Sequence, residues 1–214
     1  MRYYIYISDS KLEMLYDQIP PRQRETIAAE LNINLGIVQA KFSSERVENA
    51  RHQKILMLEK FLGKRIGTLE HSRPYVAGVV TAAWGPYGLD YPDAVYFGGI
   101  ANGVYFGLMG SMSNCIGGSN DAPTGHSLSS YVIQTLARRK MLPSRISSRL
   151  HSDMSADDIN RKAFEGVIMA NQCSIEPQER VRFLARTVIS RNEPDSGEHP
   201  VYIGSPIYVA AYDE

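Results

Sequence analysis

The residues best suited to chemistry fall in one stretch, Gly107 to Ser127, which is rich in Gly, Ser and Asn. Glycines let a backbone come close to a ligand, and short hydroxyl and amide side chains supply donors. Ser111, Ser113, Asn114, Gly117, Gly118 and His126 are therefore candidate ligand-binding residues. The stretch runs into a predicted helix capped by Ser127, and the free N–H groups of a helix start favour an anion such as a phosphate. It is neither a P-loop, whose lysine and spacing are absent, nor a Rossmann fingerprint. The competing reading is a long connecting loop whose glycines serve turns only.

The same stretch holds Cys115, Asp121 and His126. A Cys–His pair can make a thiolate nucleophile, with Asp121 orienting the imidazole. Against this stands a packed thiol with a solvent-facing histidine, since no family signature surrounds the cysteine. The five histidines show no H-E-x-x-H and no Cys/His zinc spacing, so neither a metal nor a cofactor is expected. No G-x-S-x-G elbow is present. A second loop, Trp84 to Asp93, is aromatic and acidic. It can stack a base or another planar ligand, with Asp90 or Asp93 bonding it, which adds Trp84 and Asp90 to the ligand-binding candidates. The alternative is a hairpin connection with the indole as a lid on the core. Tyrosine outnumbers phenylalanine 13 to 6, which suits half-buried binding surfaces. Tyr4, Tyr6, Tyr96 and Tyr105 are expected to share one aromatic sheet face.

These residues need elements to position them. Residues 2–8 alternate Ile5 and Ile7 with Tyr4 and Tyr6 and read as a strand. Ser10 and Glu13 form a capping-box pattern for a short helix ending before Pro20. Pro21 suits the first turn of a second helix through Leu31. Val38, Ala40 and Phe42 suggest a strand. Residues 45–62 carry apolar positions at helical period, with Ser44 as cap and Gly63 as terminator. Residues 74–84 read as a strand. Val95-Tyr96-Phe97-Gly98 and Val104-Tyr105-Phe106-Gly107, flanking Asn102-Gly103, predict a β-hairpin with a type I′ turn. Val132 and Leu136 point inward from the helix after Ser127. Ser155 starts another, with Ile159, Ala163, Val167 and Ala170 on one stripe. Two strands close the chain. Val181, Phe183, Ala185, Thr187 and Ile189 share a face of the first. Val201, Ile203, Ile207, Val209 and Ala211 form the second, with a bulge or bend at Gly204-Ser205-Pro206. The expected fold is α+β: a largely antiparallel mixed sheet with several packed helices, forming one domain over residues 1–214. Residues 63–73 are the weakest place for a boundary.

Lys+Arg and Asp+Glu both number 23, so no net charge draws the chain to nucleic acid or to an anionic membrane. Two cysteines make no disulfide framework. With no signal-peptide pattern and no apolar run of bilayer length, a cytoplasmic location is expected.

Arg2 through Lys11, Trp84-Gly85-Pro86-Tyr87-Gly88, Tyr96-Phe97-Gly98-Gly99, Gly107 through Gly117 and Gly204 through Ala210 resemble an uncharacterised family of bacterial hypothetical proteins, a domain of unknown function. The resemblance spans most of the chain and supplies no catalytic residues. It implies bacterial origin and, by association, a place beside signalling or defence machinery. The functional expectation is a non-catalytic ligand-sensing or interaction module that binds a nucleotide or small anion where the two loops meet. One alternative is an unfamiliar enzyme acting on a nucleotide or phosphoester through His126 with Asp121 or Cys115. Another is a self-assembling subunit or a module for a protein partner, joined through the tyrosine-rich surface. The binding readings require the two loops to converge.

Overall fold

The computed structural model describes residues 2–38, 44–87, 93–117, 132–133, 135–136, 155–172, 177–192 and 197–212. The chain divides into two compact units: Ser8–Ile66, and Met1–Ile7 together with Gly67–Glu214. Among the described residues no helix is long and apolar enough to cross a membrane.

The smaller unit is helical: α1 (Asp9–Asp17), α2 (Pro21–Glu30), α3 (Leu35–Val38) and α4 (Ser44–Leu62). Pro21 occupies the first turn of α2, where its missing N–H costs nothing. Gly63, at φ +42°, ends α4. Tyr16, Ile19, Ile27, Ala28 and Met57 form the core of this unit. Arg24 and Lys54 lie 4.5 and 5.3 Å from the centre of the Tyr16 ring. Two details depart from expectation. The cap of α1 is Ser8, whose side chain makes no capping bond, and Ser10 lies inside the helix. Glu13 pairs with Lys54 of α4, so the carboxylate expected to reach back to the backbone is drawn to a cation instead. Val38 ends the short α3 and is not in a strand, while Ala40 and Phe42 lie outside the described residues.

The larger unit holds most of a seven-stranded mixed sheet. Its elements are β1 (Tyr3–Ile7), β2 (Ile66–Gly67, where the two units join in the chain), β3 (Tyr75–Pro86), β4 (Ala94–Ala101), β5 (Val104–Ser111), α5 (Ala156–Gln172), β6 (Gln178–Arg191) and β7 (Val201–Ala211). β4 and β5 form the expected hairpin. Ala101 pairs with Val104, and Asn102 and Gly103 sit at φ 50° and 78°, both in the left-handed region a type I′ turn needs. The pairings then close on themselves. β3 is antiparallel to β4, β4 to β5, β6 to β7 and β6 to β3, whereas β5 runs parallel to β7. Five strands thus form a ring in the order β3-β4-β5-β7-β6, a closed Greek-key barrel with the connectivity of the OB-fold.

Closure depends on bends in long strands. β3 gives Tyr75–Ala83 to β6 and Ala83–Pro86 to β4. β7 lies against β6 along its length, while its other edge meets β5 at Val201–Gly204 and β1 at Tyr208–Ala211. Between these parts the ladder with β6 skips Ile207, a bulge beside Pro206, which has no N–H to donate. A second irregularity at Val188 shifts β6. These shifts split the faces expected for both strands. Val181, Phe183, Ala185 and Val209 point into the barrel, whereas Ile189, Val201 and Ile203 belong to an outer core.

The barrel interior is filled by Val76, Val80, Phe97, Phe106, Phe183 and Tyr202 among others. The outer core lies between β4–β5–β7 and α5, whose stripe of Ala163, Phe164, Val167 and Ala170 covers Tyr96, Met109 and Ile203. Val132 and Leu136 join it from a helical segment, as their spacing predicts. Ser155 caps α5, its Oγ accepting the Asp158 N–H at 3.1 Å. Asn171, at the other end of α5, donates to the carbonyls of Gly99 (3.1 Å) and Phe106 (3.0 Å) and accepts from the Tyr96 hydroxyl (3.3 Å). A Cβ at Gly98 would stand 2.2 Å from Asn171 Oδ1, so glycine there is what lets the helix reach the strands. The single aromatic face expected for four tyrosines does not form. Tyr6 lies in the barrel, and Tyr96 and Tyr105 are in the outer core. Tyr4 packs edge-on against Tyr208.

Gly166 of α5 supplies a test with a reversed sign. In an open helix, alanine for glycine adds about 1 kcal/mol of stability. Here a Cβ would lie 2.3 Å from the carbonyl oxygen of Leu136, a backbone atom that cannot swing aside. Gly166→Ala is expected to lower the urea midpoint, with a loss of about 1–3 kcal/mol.

Candidate functional site

At one mouth of the barrel an open-sided cleft of about 550 Å³ is built from chain segments distant in sequence. One wall is β1, where Tyr3 and Tyr4 pair with Ala211 and Ala210 of β7. The facing side carries Trp84 from the end of β3 and Glu179 and Arg180 from the start of β6. Ile116 and Tyr212 complete the rim. The indole of Trp84 stacks on Phe97 with ring centres 5.7 Å apart and planes at 22°, so the barrel core fixes its tilt. Its Nε1–H donates to Glu179 Oε2 at 3.3 Å. The Arg180 guanidinium lies 5.0 Å from the centre of the Tyr212 ring, and the Tyr212 N–H donates to the Arg180 carbonyl at 2.9 Å. Ile116 is tied to β1 by its N–H, which donates to Ile5 O at 2.9 Å. Tyr3 is 70% exposed and Ile116 44%. They are two of the four exposed large hydrophobic residues among those described, the others being Met14 and Ile100, so wet apolar surface gathers at this mouth.

The chain belongs to DUF7019, a family of unknown function. The family model matches residues 2–213. No curated protein and no solved structure matches this chain. What this DUF7019 member does must therefore be read from its own side chains.

The residues singled out by sequence are distributed as follows. Trp84 lines the cleft. Ser111 is the last residue of β5 rather than part of a loop; it is fully buried, and its Oγ lies 2.8 Å from that of Ser113. Asn114 Nδ2 donates to the Tyr6 hydroxyl at 3.2 Å. These three lie in one short segment, but they bond within the fold and do not line the cleft. Gly117, at φ +82°, turns the chain just after Ile116. Asp90, Gly118, Asp121 and His126 lie outside the described residues. One described end of each loop meets the other at the barrel: Ala94 pairs with Ser111, and the Met112 N–H donates to Asp93 O at 2.7 Å. Trp84 and Ile116 then contribute to one cleft.

Sequence reasoning missed Glu179, Arg180, Tyr3 and Tyr212 as site residues. The one available signal was the polar Gln178-Glu179-Arg180 start of a strand that turns apolar at Val181. Among the described residues no three His, Cys, Asp or Glu side chains gather to hold a metal.

Cys115 is half-buried against the barrel core and bridges to Tyr6. Burial pushes its thiol up to about 11, the opposite of what an activated nucleophile needs. Alkylation of Cys115, followed by peptide mapping, is therefore expected to be slow near neutral pH. It should rise steadily with pH until the solution approaches that value, because only the thiolate reacts. A plateau reached near neutrality would contradict this.

Proposed function

We propose that this protein is a non-catalytic binding module that takes a planar, nucleotide-type ligand in the barrel-mouth cleft. The observation that carries the reading is the indole of Trp84, which lines the cleft with Tyr3 and is set against Phe97, while Arg180 and Tyr212 lie at its rim. Base-on-ring stacking contributes roughly 1–3 kcal/mol per base and tolerates any base, because every base has a π-face. The guanidinium supplies a partner for a phosphate. A cleft of about 550 Å³ is of a size that small ligands occupy. The indole is held before any ligand arrives, by Phe97 and Glu179, and the Tyr212 ring lies against the Arg180 guanidinium. Prior ordering of this kind lowers the entropic cost of binding.

The reading does not rest on fold analogy. OB-type barrels commonly bind ligands on the face of their second and third strands. Those strands are β4 and β5 here, and α5 covers them. Among the described residues no paired nucleophile and base line the mouth.

Trp84 is the only tryptophan in the chain, so its emission reports on the cleft alone. Titration with nucleoside monophosphates is expected to quench that emission saturably. Each ligand at 100 times its dissociation constant should also raise stability by about 2.7 kcal/mol in a thermal-shift assay. Tyr212→Ala, which removes both a ring and the surface on which Arg180 rests, should weaken binding about tenfold, or about 1.4 kcal/mol. Emission and melting temperature both unmoved through the millimolar range would overturn the reading.

A further inference from the structure

We propose that the outward face of β3 and β6 binds the backbone of a single-stranded nucleic acid. Val181, Phe183 and Ala185 point into the barrel, so Arg180, Arg182, Leu184 and Arg186 point away from it. The ladder between β6 and β3 is regular from Gln178 to Arg186, and cross-strand partners share a face. Thr81 therefore flanks Arg180, Val79 flanks Arg182 and Tyr75 flanks Arg186. Arg180, Arg186 and Thr81 are exposed, and Arg182, Val79 and Tyr75 are half-buried. Leu184 is buried and divides the row into two parts, Arg180 with Arg182 and then Arg186. No carboxylate shares this face: β3 has none, and Glu179, the one acid of β6, points the other way.

Most arginines of the fold are answered by an acid. Arg24, Arg51, Arg161 and Arg191 each lie beside a carboxylate. Among the described residues Arg182 and Arg186 have no hydrogen bond or ion pair, and Arg180 rests 5.0 Å from the centre of the Tyr212 ring. Like charges along one strand repel mildly, so the row gains most from an anion that lies along it. Alternate strand residues stand about 6.7 Å apart, which suits successive phosphates of an extended single strand. An acidic peptide matches that spacing too, but it leaves the rings unused. A ring accompanies each part of the row, Tyr212 at Arg180 and Tyr75 at Arg186. Unpaired bases stack on tyrosine rings and on guanidinium planes alike, whereas a duplex keeps its bases out of reach. The zero net charge of the chain does not oppose this, because screening limits attraction to charges within about 8 Å at physiological salt.

The test is the fluorescence anisotropy of a labelled oligouridylate, and of the matching oligothymidylate, titrated with the full chain across a range of salt. Three phosphate contacts predict a slope of log affinity against log salt of about −2. Arg182→Gln combined with Arg186→Gln should lower affinity about tenfold or more and flatten the slope by about 1.4. Neither side chain has a bond to lose, so this variant should melt where the parent does. Arg22→Gln, at an exposed arginine of α2, is the control and should change nothing. Binding of either strand supports the proposal, and the tighter one identifies the sugar. A slope near zero in the unaltered chain would overturn it, as would no binding at low salt or tighter binding of a duplex. Equal displacement by polyglutamate, or an affinity indifferent to the double substitution, would overturn it as well. Any of these results would leave the mononucleotide reading of the cleft in place.

Discussion

The larger unit depends on how β7 divides its edges. One edge pairs with β6 along the strand, and the other serves β5 in parallel and then β1 in antiparallel, with the change made across Gly204–Ile207. A regular strand would keep one partner on each edge and one phase on each face. The bulge at Ile207, beside a proline that cannot donate, breaks both rules at a single place. That break allows the ring to close and leaves few unpaired edges. It also brings β1 alongside the end of β7, so that Tyr3 and Tyr4 line the same cleft as Trp84 and the start of β6.

A second constraint decides which surface of the barrel is covered. Gly98 and Gly107 leave bare backbone on β4 and β5, and α5 settles there, with Val167 close to Gly107 and Asn171 close to Gly98. Asn171 bonds to two strand carbonyls that the helix would otherwise bury without a donor. Helix and strands then share a dry core, and the β4–β5 face is withdrawn from solvent. The mouth keeps exposed apolar surface at Tyr3 and Ile116, beside an indole set against Phe97.

Much of the local structure was legible because its causes are local. Asn102-Gly103 specifies its turn by backbone sterics, Pro21 and Ser155 start helices, Gly63 ends one, and the stripe on α5 follows from a 3.6-residue period. The α+β class and the largely antiparallel sheet followed from those elements. Ring closure was not legible, because it rests on pairings such as Tyr105 with Val201 that no short-range pattern encodes. The bulges also reset the faces of β6 and β7 partway along, which alternation cannot foresee. The cleft suffers from the same distance. Its residues come from positions 3–5, 84, 116, 179–180 and 211–212, and only Trp84 was singled out from the sequence as a ligand-binding candidate. The hydroxyls and amide of Ser111, Ser113 and Asn114 looked like ligand chemistry, yet Ser111 bonds to Ser113 and Asn114 to Tyr6. A donor in sequence does not reveal whether the fold will consume it.

The central claim is that recognition happens at the mouth of the barrel and not on its β4–β5 face. With one tryptophan in the chain, a nitrogen-15 correlation spectrum contains a single indole N–H resonance, that of Trp84. Adding a nucleoside monophosphate is predicted to move that resonance together with the amides of Arg180 and Tyr212, while the amides of Gly98 and Gly107 beneath α5 stay in place. Movement of Gly98 and Gly107 with a stationary indole, or a spectrum that does not change at all, would contradict the account.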